Sequence, residues 1–292
     1  MKNTVLFTDS TCDMSVDLLE ARGVVPVRLS YLMDDKEYFD DMNDESAQAF
    51  YARLRQGHMA KTSAINSERF VTLWTDILEQ GKDVFYLAFS SALSATYSNA
   101  CMARETLLEK YTDRKIYIVD SRCASLGEGL ILNYIMDMAD DGKSAEEVAA
   151  WAEENKLKLC HWFTVDDLHF LRRGGRVSGA AAMVGSILSV KPVLCVDDEG
   201  RLIMREKVRG RKKALKLLVD RMEETVVDAG NQTIFISHGD SLNDAQAVAQ
   251  MVKERFNPKK IYINYVGPVI GSHSGPGTIA LFYMGKNREN AD

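Results

Sequence analysis

One histidine sits inside an unusually constrained stretch. Residues 267–277 read Gly-Pro-Val-Ile-Gly-Ser-His-Ser-Gly-Pro-Gly, which places His273 between Ser272 and Ser274. Glycine admits positive φ and close backbone approach, and proline fixes φ near ~−65°. The combination predicts a stiff loop between strand-like runs at 260–266 and 278–284, holding the imidazole beside something small and polar. A satisfied surface or core histidine is the plain alternative, and the residues alone leave both open.

Hydroxyl groups form the second concentration. Ser90, Ser91, Ser94 and Thr96 crowd a strand-to-helix turn, where free N–H groups at the helix N-terminus favour an anion. Ser94 is placed to add a hydroxyl donor to those amides, or simply to cap the helix. Thr62-Ser63 reads the same way, as ligand site or turn. Basic residues cluster twice. Arg205, Lys207 and Arg209 precede Arg211, Lys212 and Lys213, which fall in the first turn of a predicted helix, where cations oppose the macrodipole. That placement points to an acidic partner or a phosphate, against the alternative of a solvated charged face. Arg172, Arg173 and Arg176 surround Gly174-Gly175. His161 and His169, amid aromatics, read as packing, and His58 and His238 have no evident partner.

These groups need elements to position them. Residues 4–8, 83–89 and 115–119 read as buried strands, each followed by a helix: 16–21, then 96 to about 111, then 126–140. Residues 24–33 read as one strand, 34–36 as a hairpin turn, 61–63 as a polar loop, and 45–56 and 67–79 as helices. Ser144-x-x-Glu147 is a capping box opening a helix over 144–154. The alternation predicts an open parallel α/β sheet with helices on both faces, whose functional loops lie beyond the C-terminal strand ends. After about residue 157 the pattern becomes α+β. Strands are predicted at 158–165, 192–196, 202–208 and 232–237, and helices at 180–188, 211–227 and 243–256. A short helix starts at Asp166-Asp167, and 261–284 forms a closing hairpin. The expected division is 1–157 and 158–292, a parallel α/β domain and an α+β domain with a mixed or antiparallel sheet.

The composition narrows the function classes. At 292 residues, 46% hydrophobic and 27% charged, the chain is that of an ordinary globular protein long enough for two cores. No apolar run reaches the ~18 residues of a membrane span, and no signal-peptide core precedes the first strand. Five scattered cysteines with no C-x-x-C argue for reduced thiols in a cytoplasm and against structural zinc. A net charge of −6 argues against nucleic acid. Gly239-Asp240-Ser241-Leu242 spells the nucleophile motif of GDSL hydrolases and Asp166-x-x-His169 mimics its partner, but the chain order is reversed. No phosphate loop, dinucleotide fingerprint or zincin motif occurs.

Taken in order, Asp9-Ser10-Thr11, Thr62-Ser63, Ser90-Ser91-x-Leu93-Ser94-x-Thr96-Tyr97, Asp120-Ser121, Gly174-Gly175-Arg176-x-Ser178, Lys191-Pro192 and the 267–277 segment resemble the DegV family from about residue 4 to 285. These are bacterial fatty-acid-binding proteins, among them acyl carriers of the fatty acid kinase system. The resemblance implies one long-chain fatty acid in a tunnel between two domains and no cofactor. It implies a carboxylate held by Thr62, Ser94 and His273 with Ser63, Ser91 and Ser10 as a supporting polar shell. Arg176 and Arg173 would dock the kinase. Ala92 and Ala95 stand where the family usually has glycines. The rival readings are a serine ester or thioester hydrolase acting through Ser94 or Ser241, and a lipid-responsive regulatory protein.

Overall fold

A computed structural model describes residues 1–177 and 190–288; the helix predicted over 180–188 and Ser178 of the Gly-Gly-Arg motif lie outside the described residues. The first half runs β1 (Thr4–Asp9), α1 (Val16–Ala21), β2 (Val24–Val27), β3 (Ser30–Met33), β4 (Lys36–Phe39), α2 (Asp44–Arg55), β5 (Ala60–Ser63), α3 (Ser67–Glu79), β6 (Asp83–Ala88), α4 (Thr96–Lys110), β7 (Ile116–Asp120), α5 (Leu126–Asp140) and α6 (Ala145–Asn155). The second runs β8 (Leu159–Thr164), α7 (Leu168–Gly174), β9 (Val190–Val196), β10 (Leu202–Arg209), α8 (Arg211–Thr225), β11 (Thr233–His238), α9 (Leu242–Phe256), β12 (Lys260–Tyr265), α10 (Pro268–Ser274) and β13 (Ile279–Met284).

The order β2-β1-β6-β7 makes an all-parallel sheet covered on both faces. Strand alternation explains the two layers. Phe7, Val84 and Tyr86 point to Phe70 and Trp74 of α3 and Ala100 of α4, whereas Leu6, Phe85 and Leu87 point to Leu130 and Ile131 of α5. The second sheet, β10-β9-β8-β13-β11-β12, is mixed: only β11 and β12 pair in parallel. Its outer face carries Trp162, Ile236 and Leu281 against α8 and α9. Its inner face carries Phe163, Phe235, Ala280 and Phe282, which belong to the same core as α5. Helix α5 touches β8, β11 and β13 as well as β6, so one apolar layer runs through both halves.

The structure corrects three local expectations. Residues 24–33 are two strands, because the chain turns away at Leu29, whose N–H donates to Ser10 Oγ (3.1 Å). β2 stays in the parallel sheet while β3 joins a separate antiparallel sheet, β4-β3-β5. The hairpin turn between β3 and β4 is present, with Asp34 and Asp35 both at positive φ, as a two-residue turn requires. Residues 60–63 are strand β5, not a polar loop. Finally, β12 and β13 do not form a hairpin: both flank β11, and the segment between them is helix α10, with Pro268 in its first turn, where proline favours a helix start.

Near its end the chain fastens the two halves together. Arg288 is 1% exposed. Its guanidinium donates to the carbonyls of Lys156, Leu159, Arg122 and Asp197 at 2.8–3.0 Å and to Cys123 Sγ. Among the described residues no helix is long and apolar enough to cross a membrane.

Candidate functional site

An internal cavity of about 220 Å³ lies between the inner face of the second sheet, α10, and the turn after β6. Leu93, Phe163, Val196, Val269 and Phe282 make most of it apolar. At about 10–15 Å³ for each water-sized group, it has room for on the order of fifteen to twenty such groups in a row or cluster. Thr62, Ser63, Ser94, Arg176, His273 and Ser274 line its polar end, and Ser125, His161, Ser237 and Thr278 add further polar groups to the lining.

Three separate elements deliver that end. β5 brings Thr62 and Ser63, the turn before α4 brings Ser94, and the last turn of α10 brings His273. Thr62 Oγ1 and His273 Nε2 are 2.8 Å apart, a direct hydrogen bond across 211 residues of sequence. Ser94 serves its turn as well as the cavity: its Oγ accepts from Thr96 N–H (3.2 Å) and bonds Thr96 Oγ1 (2.9 Å). Ser94 thus braces the turn before α4 through Thr96 while also lining the cavity. Thr62, Ser94 and His273 are half-buried and Ser63 is exposed, so the polar end lies near the surface.

Gly174 explains how α7 reaches this point. A Cβ there would stand 2.2 Å from His273 Nδ1, so the bare backbone lets α7 lie against the imidazole. Burial, and then the charges of Arg176 and Arg173, lower the His273 pKa from its ordinary value to about 4. The ring is therefore neutral at pH 7, and among the described residues Nδ1 has no hydrogen-bond partner. Arg176 donates through Nε to Leu93 O (3.2 Å) and through Nη1 to Gly174 O, and it lines the cavity mouth itself. Arg173 stands over the Phe170 ring at 4.8 Å and does not line the cavity.

Two of the expected shell residues sit elsewhere. Ser91 Oγ donates to Asp120 Oδ2 (2.5 Å), and Ser10 Oγ receives the Leu29 amide; neither lines the cavity. The Asp9-Ser10-Thr11 motif is likewise internal bracing. Asp9 accepts from Tyr86 OH (2.8 Å), Phe89 N (3.0 Å) and Thr11 N (3.1 Å), and burial raises its carboxyl pKa. Arg211 meets its acidic partners within the chain, Asp244 at 2.8 Å and Asp166 at 3.4 Å, so the predicted need for an external one falls away there. His58 pairs with Asp34 (2.7 Å), and His238 accepts from Ser241 N–H (3.3 Å). The Ser241 hydroxyl points to Gly239 O (3.4 Å), not to an imidazole.

Sequence reasoning missed the polar lining residues Ser125, His161, Ser237, Ser274 and Thr278. Ser274 is buried with no partner for Oγ, and its place beside His273 in the glycine-rich segment was the available signal. His161, read as packing, does pack edge-on against Phe282 (5.4 Å between centroids), but it also lines the cavity with neither ring nitrogen bonded. Strand alternation held that signal, because His161 shares the inner face with Phe163. Among the described residues no group of three or more His, Cys, Asp or Glu side chains is arranged to hold a metal.

A parallel four-stranded α/β layer, a mixed six-stranded sheet and a small antiparallel sheet around an apolar cavity with hydroxyl and imidazole groups at its mouth define the class of fold. The family model described as "Uncharacterised protein, DegV family" matches residues 3–286, and the chain belongs to that family. It is 48% identical to the DegV domain-containing protein CPE0026 of Clostridium perfringens, over 99% of this chain and 100% of that one. A DegV lipid-binding protein of Thermotoga maritima superposes with a TM-score of 0.86 at 27% identity, covering 98% of this chain and 100% of the other. The Thermus thermophilus DegV family protein, described by its fatty acid binding, gives 0.85 at 29%, with 97% and 99% covered.

Proposed function

We propose that this chain binds one long-chain fatty acid, with the carboxylate at Thr62, Ser94 and His273 and the tail along the cavity. The carrying observation is the Thr62–His273 hydrogen bond at the near-surface end of a mostly apolar cavity. The fatty acid and lipid binding described for the Thermus and Thermotoga relatives supports the same reading. Burying an alkyl tail contributes roughly 0.8 kcal/mol per methylene, so the tail supplies most of the affinity. The head group needs only neutral donors and the nearby positive field of Arg176.

The second part of the proposal is that the chain is a cytoplasmic carrier, which hands the carboxylate to a fatty acid kinase for acyl-phosphate formation. A half-exposed carboxylate held by hydroxyls and a neutral imidazole keeps an oxygen lone pair available for attack on a phosphoryl group. Arg176 lines the mouth, and Arg173 stands beside it as a surface cation for the partner. The two working halves would be residues 1–157 and 158–292, with the ligand between them.

Mass spectrometry of denatured protein purified from cells tests the binding claim. About one fatty acid per chain is expected; protein that is empty and takes up no added octadecanoic acid overturns it. Release of alcohol from a chromogenic ester, abolished by Ser94→Ala or Ser241→Ala, would make the chain a hydrolase instead. Transfer of labelled phosphate from ATP to the bound acid, seen only when a fatty acid kinase is added, tests the carrier role.

A further inference from the structure

We propose that Thr96, buried behind the mouth, is a positioning residue that makes Ser94 a hydrogen-bond donor only, and so matches the mouth to an ionised carboxylate and against the amide of the same shape. This rests on the fatty-acid reading above. Thr96 opens α4, is 0% exposed and does not line the cavity. Ser94, just before it in the chain, is half-buried and does line it.

The direction of the bond between the two hydroxyls follows from a proton count. A hydroxyl carries one proton and two lone pairs. Among the described residues the Thr96 hydroxyl has two partners, the Ile65 N–H at 3.3 Å and Ser94 Oγ at 2.9 Å. An N–H only donates, so Thr96 accepts there, and its own proton has Ser94 Oγ as its one acceptor within reach. Were Ser94 to donate instead, the Thr96 proton would be left unpaired at a fully buried position, which costs the desolvation of that group. Thr96 therefore donates to Ser94. Ser94 Oγ also accepts from the Thr96 N–H (3.2 Å). Both of its lone pairs are then used, and its remaining proton is free to donate into the cavity. Bonds in such a chain polarise one another, which strengthens the last donor.

Helix α4 holds this relay in place. Asn99 Nδ2, on the next turn, donates to Ile65 O (2.8 Å), so the helix grips the Ile65 residue by its N–H and its carbonyl. Ile65 follows closely on Thr62 and Ser63, and the same grip sets their strand beside the turn that carries Ser94. A carboxylate presents acceptors alone and suits a hydroxyl that can only donate. A primary amide of the same shape turns N–H groups toward the mouth, and Ser94 has no lone pair left for them. A polar group left unpaired in this way is what rejects an isostere.

Displacement of a fluorescent fatty acid at pH 8 compares tetradecanoic acid, ionised there, with tetradecanamide. The unaltered protein should prefer the acid by at least about tenfold. In Thr96→Val a Ser94 lone pair is released to meet the amide, and the preference should shrink by about fivefold; Thr96→Ser, which keeps the hydroxyl, should restore it. Loss of packing alone would weaken both ligands together and leave the ratio unchanged. Equal binding of acid and amide to the unaltered protein, an unchanged ratio in Thr96→Val, or a Thr96→Ser protein that loses the preference as fully overturns the proposal. Should Thr96→Val fail to fold, the Thr96 hydroxyl proton of the unaltered protein decides. Bonded to Ser94 it exchanges slowly enough to give an NMR signal, and free exchange with solvent overturns the proposal. Failure of the acid itself to bind would instead defeat the fatty-acid reading.

Discussion

Gly174→Ala isolates the contact between α7 and His273, the histidine proposed to hold the head group. Gly174 is the last residue of α7 and its φ is not positive, so alanine suits the backbone there. The new methyl is the sole difficulty. It would sit 2.2 Å from His273 Nδ1, against the 3.4 Å at which ordinary contact begins. The ring must shift or turn by about 1.2 Å, which takes Nε2 out of the 2.8 Å geometry it keeps with Thr62 Oγ1. Loss of one buried hydrogen bond at the carboxylate site costs about 1–2 kcal/mol, a 5- to 30-fold weakening of fatty acid binding. Titration of a fluorescent fatty acid measures it. A double-mutant cycle supplies the control: in a His273→Ala background the methyl meets nothing, so Gly174→Ala should then cost almost nothing. A full additional loss in that background, or unchanged affinity in the single variant, would show that α7 does not act through His273.

Three further outcomes are expected. Ala280→Phe projects a ring into the cavity from the inner face of β13 and should abolish lipid uptake while the purified protein keeps its circular dichroism spectrum; undiminished uptake would place the tail elsewhere. The His273 pKa lies near 4 when folded and near 6.5 unfolded, so between these values the unfolded chain holds the extra proton and stability rises with pH. His273→Gln should therefore narrow the gap in urea midpoint between pH 4.5 and 7, and an identical gap would contradict the burial argument. Asp40 has the opposite sign. Burial lifts its carboxyl to about 7, so the proton it holds when folded is lost as pH rises through 7, and stability falls. Asp40→Asn should raise the melting temperature relative to the parent at pH 8 more than at pH 5; equal shifts at both would count against it.

Much of the fold was legible because the parallel strands are short apolar runs bounded by caps. The capping box at Ser144 and Glu147 forms as its spacing requires, and α3 and α5 span the residues that periodicity picks out. The failures share a cause. Strands β3 and β5 and the β12–β13 connection depend on partners distant in sequence, and a polar Lys61-Thr62-Ser63 carries no apolar alternation to mark it as a strand. Helix α10 was hidden by its own glycines, which read as loop. Of the candidate site, Thr62, Ser94 and His273 were singled out through their motifs, and all three line the same cavity. Ser91 and Ser10 were expected in the shell from their place in the motifs, which does not reveal that Asp120 and the Leu29 amide already engage them. His161 escaped because an isolated histidine among aromatics looks like packing until a void appears beside it.

The buried guanidinium of Arg288 has a consequence for how the molecule comes into being. Four carbonyls from the seam between the halves wait for a group encoded almost at the end of the 292 residues. During synthesis the earlier parts emerge with those acceptors still open to water. The seam therefore closes only when Arg288 docks there, and a chain without that guanidinium would leave the four carbonyls to be met by water.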